Sequence, residues 1–448
     1  MLLRFSVENW MSFRDEVTLD LVATREEQHS NHIAMIEKYG LKLLPIAVIY
    51  GANASGKSNL IKALAFAQKL VTDPPKADAP IPVKPFRLKK ESSELPTRFR
   101  FEVLIDESIY EYSFSVTRNK VAHEELKQIN KASEEILFRR LEGKLDPQDQ
   151  FPANSALRFA FEGTQDNQLY LSNSVSQKLM DFRVVYDWFK LKLILILPVW
   201  LDTKSPRIPS DNHPLFNKMT ARLRELDSGI SALHHAELSL ETVIAKEFVD
   251  GLTSHLREGE WLSLAHPFFE DELFDNNNDV FLYRENGKVV ARRLEPIHKT
   301  ESGEDIPFRL ADESDGTRRL IGLLQQLLWL EEQYPLTLVI DELDRSLHSN
   351  LTRNLLEHYL AQETTSSRSQ LIFTTHDTQL MTQELFRRDE IWITERDESG
   401  ASKLVAFSEF KDVRSDKDIR KSYLQGRMGG VPRIRTSSVS CDDGATVR

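Results

Sequence analysis

The spacing of apolar residues near the amino terminus predicts two strands and a helix. Leu3, Phe5 and Val7 alternate with polar residues, which is the period of a half-buried strand. Residues 45–50 (PIAVIY) form a nearly continuous apolar run with β-branched members, as in a strand covered on both faces. Helical spacing follows over residues 57–70. The pattern therefore predicts a buried strand that leads almost directly into a helix.

The middle of the chain combines predicted hairpins with a predicted helical insertion. Five prolines within residues 74–85 exclude a helix and indicate an extended connector. Alternation over residues 99–116 predicts a β-hairpin, and Asn286-Gly287 predicts the turn of a second one. Mostly helical spacing over residues 177–256 predicts an inserted helical subdomain and places the pair His234-His235 on a helix.

The last third of the chain alternates between strand and helix patterns. The predicted elements are a helix over 317–333, a strand over 336–341, a helix over 349–361, a strand over 370–375, a helix near 377–386 and a strand over 390–395. Strict alternation predicts a parallel sheet with crossover helices, which is an α/β fold. The sequence contains neither internal repeats at periods of 20–50 residues nor sustained heptads.

Composition excludes several classes of protein. The 448 residues are 40% hydrophobic and 28% charged, as in a globular chain, and the net charge of −11 disfavours a general nucleic-acid binder. Cys441 is the single cysteine, so an intramolecular disulfide and a structural zinc site are not expected. Apolar runs fall far short of the ~18–20 residues of a membrane span, and the amino terminus does not resemble a secretory signal. We therefore expect a cytoplasmic protein without membrane contact.

Residues 51–58 carry the first motif with a chemical meaning. The segment GANASGKS matches GxxxxGK[ST] in full and lies between the predicted buried strand and helix, which is the context of a P-loop. We expect the backbone of this loop, including Asn53 and Gly56, to hold the β-phosphate of a nucleotide, and Lys57 to reach the β- and γ-phosphates. Ser58 is expected to bind Mg²⁺. The alternative is a chance glycine turn.

Two carboxylates, Asp341 and Glu342, stand at the carboxyl end of the strand predicted over residues 336–341. Adjacent side chains at a strand end point in different directions, so Asp341 is expected to hold Mg²⁺ while Glu342 orients or deprotonates the attacking water. An apolar run that ends in Asp-Glu is weak by itself and gains weight from the preceding P-loop. His376 follows the next strand, where it is either a contact to the γ-phosphate or a structural histidine.

A further candidate lies just before the helix over residues 317–333. Gly316 allows a close backbone approach, and Ser314 with the helix amides forms a candidate anion site. The competing interpretation is an ordinary helix cap on Ser314 or Asp315. The order of the motifs along the chain decides between the two interpretations.

The motif order resembles that of ABC-type ATPase heads. In that resemblance SDGT stands at the signature motif, LDRSLH with Asp344 at the D-loop, and His376 at the switch histidine. The amino-terminal strand with residues 9–13 (NWMSF) resembles the SMC, RecF and OLD-like branch. DELDRSLHSNL, RRDEIWITERDESG and SYLQGRMGGVP are similar to the RloA-type AAA/ABC-like ATPases of bacterial anti-phage and restriction-linked loci. The glutamine of the ABC Q-loop has no clear counterpart, since Gln68 and Gln128 both lie in unsuitable places.

The resemblance implies a division of the chain. Residues 1–125 and 301–432 are expected to form the two lobes of one ATPase head of P-loop type. Residues 126–300 are expected to form a mainly helical insertion with a β-hairpin, and residues 433–448 a disordered tail.

The same resemblance implies a function. Two subunits would close around ATP and Mg²⁺, with Ser314 and Gly316 of one facing the P-loop of the other. The homodimer or higher oligomer would regulate an effector, a nuclease or toxin from a neighbouring gene, and could contact nucleic acid through it. Whether this chain contacts nucleic acid directly is left open by the sequence. The alternatives are a DNA-repair or chromosome-associated ATPase, for which the long coiled-coil heptads are missing, and a catalytically weak ATP-gated scaffold.

Other sequence features are assigned structural roles. Trp10 and Phe13 are expected in the core rather than on adenine. His234-His235 is expected to be a surface pair. The acidic residues 270–279 lack the pattern of a calcium loop. The basic clusters at residues 87–90 and 291–293 are expected to be solvated, and the alternative is a contact with nucleic acid or a partner.

Overall fold

The computed structural model describes residues 1–145, 155–198, 214–243, 256, 261–263, 280–332, 334–410, 418–426 and 428–431. The strands described are β1 (Leu2–Glu8), β2 (Val17–Asp20), β3 (Ala34–Ile36), β4 (Leu41–Leu43), β5 (Ile46–Gly51), β6 (Thr97–Ile105), β7 (Ser108–Val116), β8 (Val121–Ile129), β9 (Glu134–Leu141), β10 (Lys144–Leu145), β11 (Leu193–Ile196), β12 (Ala232–Leu238), β13 (Trp261–Ser263), β14 (Val280–Glu285), β15 (Lys288–Lys299), β16 (Asp305–Pro307), β17 (Thr337–Ile340), β18 (Gln370–Thr374), β19 (Ile391–Arg396) and β20 (Ser402–Ala406).

The α-helices of these residues are α1 (Lys57–Thr72), α2 (Ser155–Glu162), α3 (Tyr170–Ser176), α4 (Arg183–Asp187), α5 (Pro214–Glu225), α6 (Leu240–Val243), α7 (Asp315–Glu331), α8 (Ser349–Gln362) and α9 (Ile419–Leu424). A π-helical turn, Trp188–Lys192, follows α4.

The predicted parallel sheet is confirmed and joins both ends of the chain. Its strand order is β11-β17-β18-β5-β19-β20, and every neighbouring pair is parallel except β19 with β20. All residues of β5, β17 and β18 are buried. Strands that are buried on both faces favour apolar residues at successive positions, which explains the nearly continuous apolar runs of the sequence.

The two faces of this sheet belong to two different hydrophobic clusters. Ala47 and Ile49 face a cluster that contains the buried side of α1. Val48 and Tyr50 alternate with them and face a cluster that contains α7 and α8. Because successive side chains in a strand point to opposite faces, β5 is held from both sides, and its carboxyl end gives the loop of residues 51–56 a fixed origin.

An antiparallel sheet covers the outer side of α1. Its order is β10-β9-β8-β7-β6-β1-β2, and it contains the predicted hairpin as β6 and β7. The rings of Phe5 on β1 and Phe101 on β6 lie 4.8 Å apart in the cluster that they share with α1. The amino-terminal strand therefore supports the helix that follows the P-loop.

The segment between the two ends of the chain differs from its predicted helical character. Residues 232–238 form β12, which pairs with β15, so His234 and His235 lie on a strand and not on a helix. His235 is buried and His234 is exposed, because adjacent residues of a strand face opposite sides. The described part of residues 126–300 contains strands as well as helices, and β11 even joins the parallel sheet. The boundaries at residues 125 and 300 stay a prediction.

The predicted helix near residues 377–386 was wrong. The structure has a 3₁₀ turn, Thr378–Leu380, in which the Asp377 side chain accepts a hydrogen bond from the Gln379 N–H at 2.8 Å. The buried apolar residues of this segment are Leu380, Met381, Leu385 and Phe386. At ~100° per residue they would spread around most of a helix, so one helical face could not bury them all.

Some predictions lie outside the described residues. These are the tail at residues 433–448, the acidic residues 270–279 and Cys441. Within the described ranges, no helix combines the length and the apolar character needed to cross a membrane.

Candidate nucleotide-binding site

The loop between β5 and α1 has the backbone shape that its glycines allow. Gly56, at the amino-terminal end of α1, has φ 119°. A Cβ atom at this position would lie 2.6 Å from Ser402 Oγ and 3.1 Å from Ser12 Oγ. Both the left-handed backbone and the close approach exclude a larger residue. The amides at the start of α1 point out of the helix and are available to an anion.

Lys57 is held within the same loop. Its side chain is buried, and its Nζ donates hydrogen bonds to the Gly51 carbonyl at 2.7 Å and to the Ala52 carbonyl at 3.2 Å. Burial lowers the pKa of Lys57 to about 8. A buried ammonium group whose hydrogen bonds go to carbonyl oxygens is strongly stabilised by a phosphate, because the phosphate supplies full negative charge.

The predicted catalytic residues meet around one concavity of about 380 Å³. Its lining residues are Asn53, Ala54, Ser55, Gly56, Lys57, Ser58, Asn59, Glu342 and His376. The structure thus brings together the P-loop, the second carboxylate of the Asp-Glu pair and the histidine after β18. These groups come from three neighbouring strands of the parallel sheet, at the edge where such sheets bind ligands.

Ser58 and Asp341 form the oxygen pair expected for Mg²⁺. The Ser58 Oγ donates to Asp341 Oδ1 at 3.2 Å, and Asp341 is buried. A hydroxyl and a carboxylate are hard oxygen donors that suit this ion. Among the described residues, no three His, Cys, Asp or Glu side chains are grouped around a metal position. The two protein oxygens fit Mg²⁺ in the manner of sites in which substrate phosphates and water complete the shell.

Glu342 and His376 complete the polar side of the concavity. Glu342 has φ 55°, a left-handed conformation that is uncommon for a residue with a side chain. The His376 N–H donates to the Asp344 carboxylate at 3.3 Å, so the residue assigned to the D-loop holds the histidine's backbone. Desolvation, and then the positive charge of Lys57, lowers the pKa of His376. The imidazole is therefore neutral near pH 7 and can donate one N–H.

The anion site predicted before α7 lies outside the concavity around the P-loop. Ser314 Oγ accepts a hydrogen bond from the Thr317 N–H at 3.1 Å, so within one chain it is the helix cap. A Cβ atom at Gly316 would lie 2.6 Å from the Ser346 carbonyl oxygen, which places this glycine against the segment that follows Glu342. Neither Ser314 nor Gly316 lines the concavity around the P-loop, although both lie in the described part of the chain.

Other candidates from the sequence have structural surroundings. Trp10 and Phe13 are buried, and the Trp10 indole donates to the Asn59 carbonyl at 2.9 Å, in keeping with a core role. Gln68 donates to the carbonyls of Phe189 and Leu193, so it ties α1 to the start of β11. Gln128 lies in β8.

Sequence reasoning missed two polar residues that contact the Asp-Glu pair. Thr374, the last residue of β18, accepts from the Glu342 N–H and donates to Asp341 Oδ1. Arg319, on α7, donates to the Glu342 carbonyl. The available signal was a lone arginine within the apolar pattern of a helix and a polar residue that ends a buried strand.

Comparison with known proteins places this site in a family. The model of the family described as "AAA domain, putative AbiEii toxin, Type IV TA system" matches residues 46–382. The chain belongs to this AAA-domain family. The matched part of this P-loop ATPase domain includes the whole loop, Ser314, the Asp-Glu pair and His376. No curated protein matches the sequence.

Solved structures give more distant similarities. An SMC head domain from Thermotoga maritima shows 12% identity and a TM-score of 0.38, covering 90% of this chain and 98% of that one. An SmcHead bound to the C-winged helix domain of ScpA shows 12% identity and a TM-score of 0.39, with 90% and 97% covered. An Smc head domain with an extended coiled coil, bound to the C-terminal domain of ScpA derived from Pyrococcus furiosus, shows 11% identity and a TM-score of 0.37, with 91% and 97% covered.

Proposed function

We propose that this AAA-domain protein hydrolyses ATP in the presence of Mg²⁺. The observation that carries the proposal is the concavity in which Lys57, Ser58, Glu342 and His376 meet. The loop amides and Lys57 bind the phosphates, and Ser58 with Asp341 holds the ion, which neutralises phosphate charge when bound. Glu342 orients the attacking water or accepts its proton, and the neutral imidazole of His376 donates a hydrogen bond to the γ-phosphate.

The proposal includes a dimer that closes around ATP. Ser314 and Gly316 lie at the start of α7, outside the concavity of their own chain. A second copy related by a two-fold axis would bring the same helix start to the γ-phosphate and so complete each site. Two nucleotides would then be buried between two heads, and hydrolysis would release the contact.

The wider role we propose is regulation of an effector in bacterial anti-phage defence. RRDEIWITERDESG and the neighbouring motifs are similar to the RloA-type ATPases, and the family description refers to a toxin–antitoxin system. The ATP machinery is accompanied by no second catalytic constellation in the sequence. The harmful chemistry would therefore belong to a nuclease or toxin encoded next to this chain, and contact with nucleic acid could take place through it.

The enzymatic part is tested with matched lysine and glutamate variants. Lys57→Ala removes the phosphate contact and is expected to lose ATP binding, whereas Lys62→Ala, at an exposed position of the same helix, keeps it. Glu342→Gln keeps the size of the side chain and removes its negative charge, and it is expected to bind ATP with barely any turnover. Phosphate release and binding of a fluorescent ATP analogue give the two readouts.

The outcome that removes the proposal is specific. Wild-type protein that releases no phosphate with Mg²⁺, either alone or with the product of the adjacent gene, is not an ATPase. The same measurement separates the enzyme from an ATP-gated scaffold, because a scaffold would bind ATP and dimerise without turnover. Dimer formation is followed by light scattering of Glu342→Gln with and without ATP.

A further inference from the structure

The backbone of Glu342, the residue proposed to act on the attacking water, has an unusual conformation. The residue has φ 55°, in the left-handed region that side chains with a Cβ seldom adopt. Such conformations persist where surrounding groups hold them in place. Glu342 follows directly on Asp341, which is the first residue after β17. The direction of its carboxylate therefore depends on what holds this turn.

Thr374 holds the amide side of the turn. Its Oγ1 lies 2.7 Å from the Glu342 N and 2.6 Å from Asp341 Oδ1, and the side chain is fully buried. A hydroxyl has one proton, and a carboxylate can only accept it, so the threonine donates to Asp341 and accepts from the Glu342 N–H. The backbone carbonyl of Thr374 also accepts from the Leu343 N–H at 3.0 Å. One residue thus connects the proposed metal ligand with the two amides that follow it.

Arg319 holds the carbonyl side. Its Nη2 donates to the Glu342 carbonyl oxygen, which also accepts from the Arg345 N–H at 3.1 Å. The arginine is 7% exposed and lies on the buried face of α7 beside Leu320. A guanidinium in such surroundings is costly to desolvate, which leucine or methionine would avoid if the position served packing alone. The hydrogen bond to the Glu342 carbonyl is a contact that the guanidinium makes and that leucine or methionine could not make.

We infer that Arg319 and Thr374 are positioning residues for the hydrolytic step. Together they fix the amide and the carbonyl of Glu342 from two different elements, α7 and β18, and so direct its carboxylate into the concavity next to Lys57. The inference rests on the proposed ATPase function. It predicts that loss of either contact slows the chemical step while ATP binding, which uses the P-loop, is retained.

The test compares isosteric losses with conservative replacements. Thr374→Val removes the hydroxyl at nearly constant volume, and Thr374→Ser keeps it. Arg319→Met removes the guanidinium, and Arg319→Lys keeps a charged donor. At saturating Mg²⁺ we expect Thr374→Val and Arg319→Met to lower kcat by about 10- to 100-fold with a KM for ATP within about twofold of wild type. Thr374→Ser and Arg319→Lys are expected to recover most of the lost rate.

Arg353→Met serves as the matched control. Arg353 lies on α8 and pairs with Glu357 and Glu384 near the surface, away from the concavity, so its loss should leave kcat unchanged. Thermal unfolding of each variant is measured in parallel, and Thr374→Val carries the test if Arg319→Met does not fold.

Unchanged kcat in Thr374→Val and Arg319→Met overturns the inference. So does an equal loss in Thr374→Ser and Arg319→Lys that follows thermal stability, since that is the behaviour of a purely structural contact. A wild-type chain without turnover overturns the proposed function itself, and with it this inference.

Discussion

Replacing Gly56 by alanine tests whether the observed loop shape is the one that binds ATP. The change adds a single methyl group, keeps Lys57 and Ser58, and acts only through geometry. At φ 119° an alanine is strained whatever its surroundings, and its Cβ would meet Ser402 Oγ at 2.6 Å. The loop must therefore shift in order to accept the methyl group, and the helix amides shift with it.

The magnitude follows from these two costs. A residue with a Cβ in a sparsely populated backbone region costs about 1–3 kcal/mol. Overpacking against a neighbouring side chain costs about another 1–3 kcal/mol, at the low end here because Ser402 can adjust. In the variant, the loop reaches the shape that binds ATP only by bearing both the backbone strain and the overpacking. The free energy of ATP binding is therefore weakened by at least about 2 kcal/mol. That corresponds to a roughly 30-fold weaker Kd.

The assay is a titration with a fluorescent ATP analogue in Mg²⁺, together with thermal unfolding. Gly40→Ala is the matched control, because Gly40 has φ 65° and no atom lies within 4 Å of its added Cβ. It should lower stability slightly and leave the Kd unchanged. Ser402→Gly in the Gly56→Ala background removes the contact and should recover part of the affinity. A Gly56→Ala protein that binds ATP within about threefold of wild type would refute the reasoning.

Three further predictions concern charge, metal and partner. Burial lowers the pKa of Lys57 to about 8, so the side chain is charged below that pH and neutral above it. ATP affinity should therefore be full near pH 7 and fall as the pH rises through 8 to 9, whereas an affinity that stays constant over this range would contradict the assignment. Asp341→Asn should raise the Mg²⁺ concentration for half-maximal turnover by about tenfold or more, measured by metal titration, and an unchanged requirement would remove Asp341 as a ligand. Co-expression with the adjacent gene product should give a stable complex in which Glu342→Gln alters effector toxicity in a growth assay, whereas nuclease activity of this chain alone would contradict that arrangement.

The P-loop motif could be predicted because its signal is local, and so could the parallel sheet. GANASGKS needs only its own glycines and the flanking elements, and residues 45–50 show a continuous apolar pattern because β5 is buried on both faces. The Asp-Glu pair could be predicted for the same reason, because it follows directly on β17, which is also buried throughout.

Other features depend on contacts that a local pattern does not contain. Arg319 reaches the carbonyl of a residue 23 positions away, and Thr374 binds the amide of one 32 positions away. The helix expected near residues 377–386 gives way to a 3₁₀ turn, since its buried residues do not share one face. His235 shows the same limit. Its strand becomes visible only through the pairing of β12 with β15, which lies far along the chain.

The most direct test of the central proposal is to mix two inactive proteins. Ser314→Arg blocks the helix start that is proposed to act on the partner's nucleotide, and Lys57→Ala disables the P-loop of its own chain. A mixed dimer contains one site with an intact P-loop and an intact facing serine. Phosphate release should return to about a quarter of the wild-type rate at equal mixing, because half of the dimers are mixed and each has one working site. A mixture that stays inactive, although mass measurement shows that mixed dimers form, would contradict a site shared between two subunits.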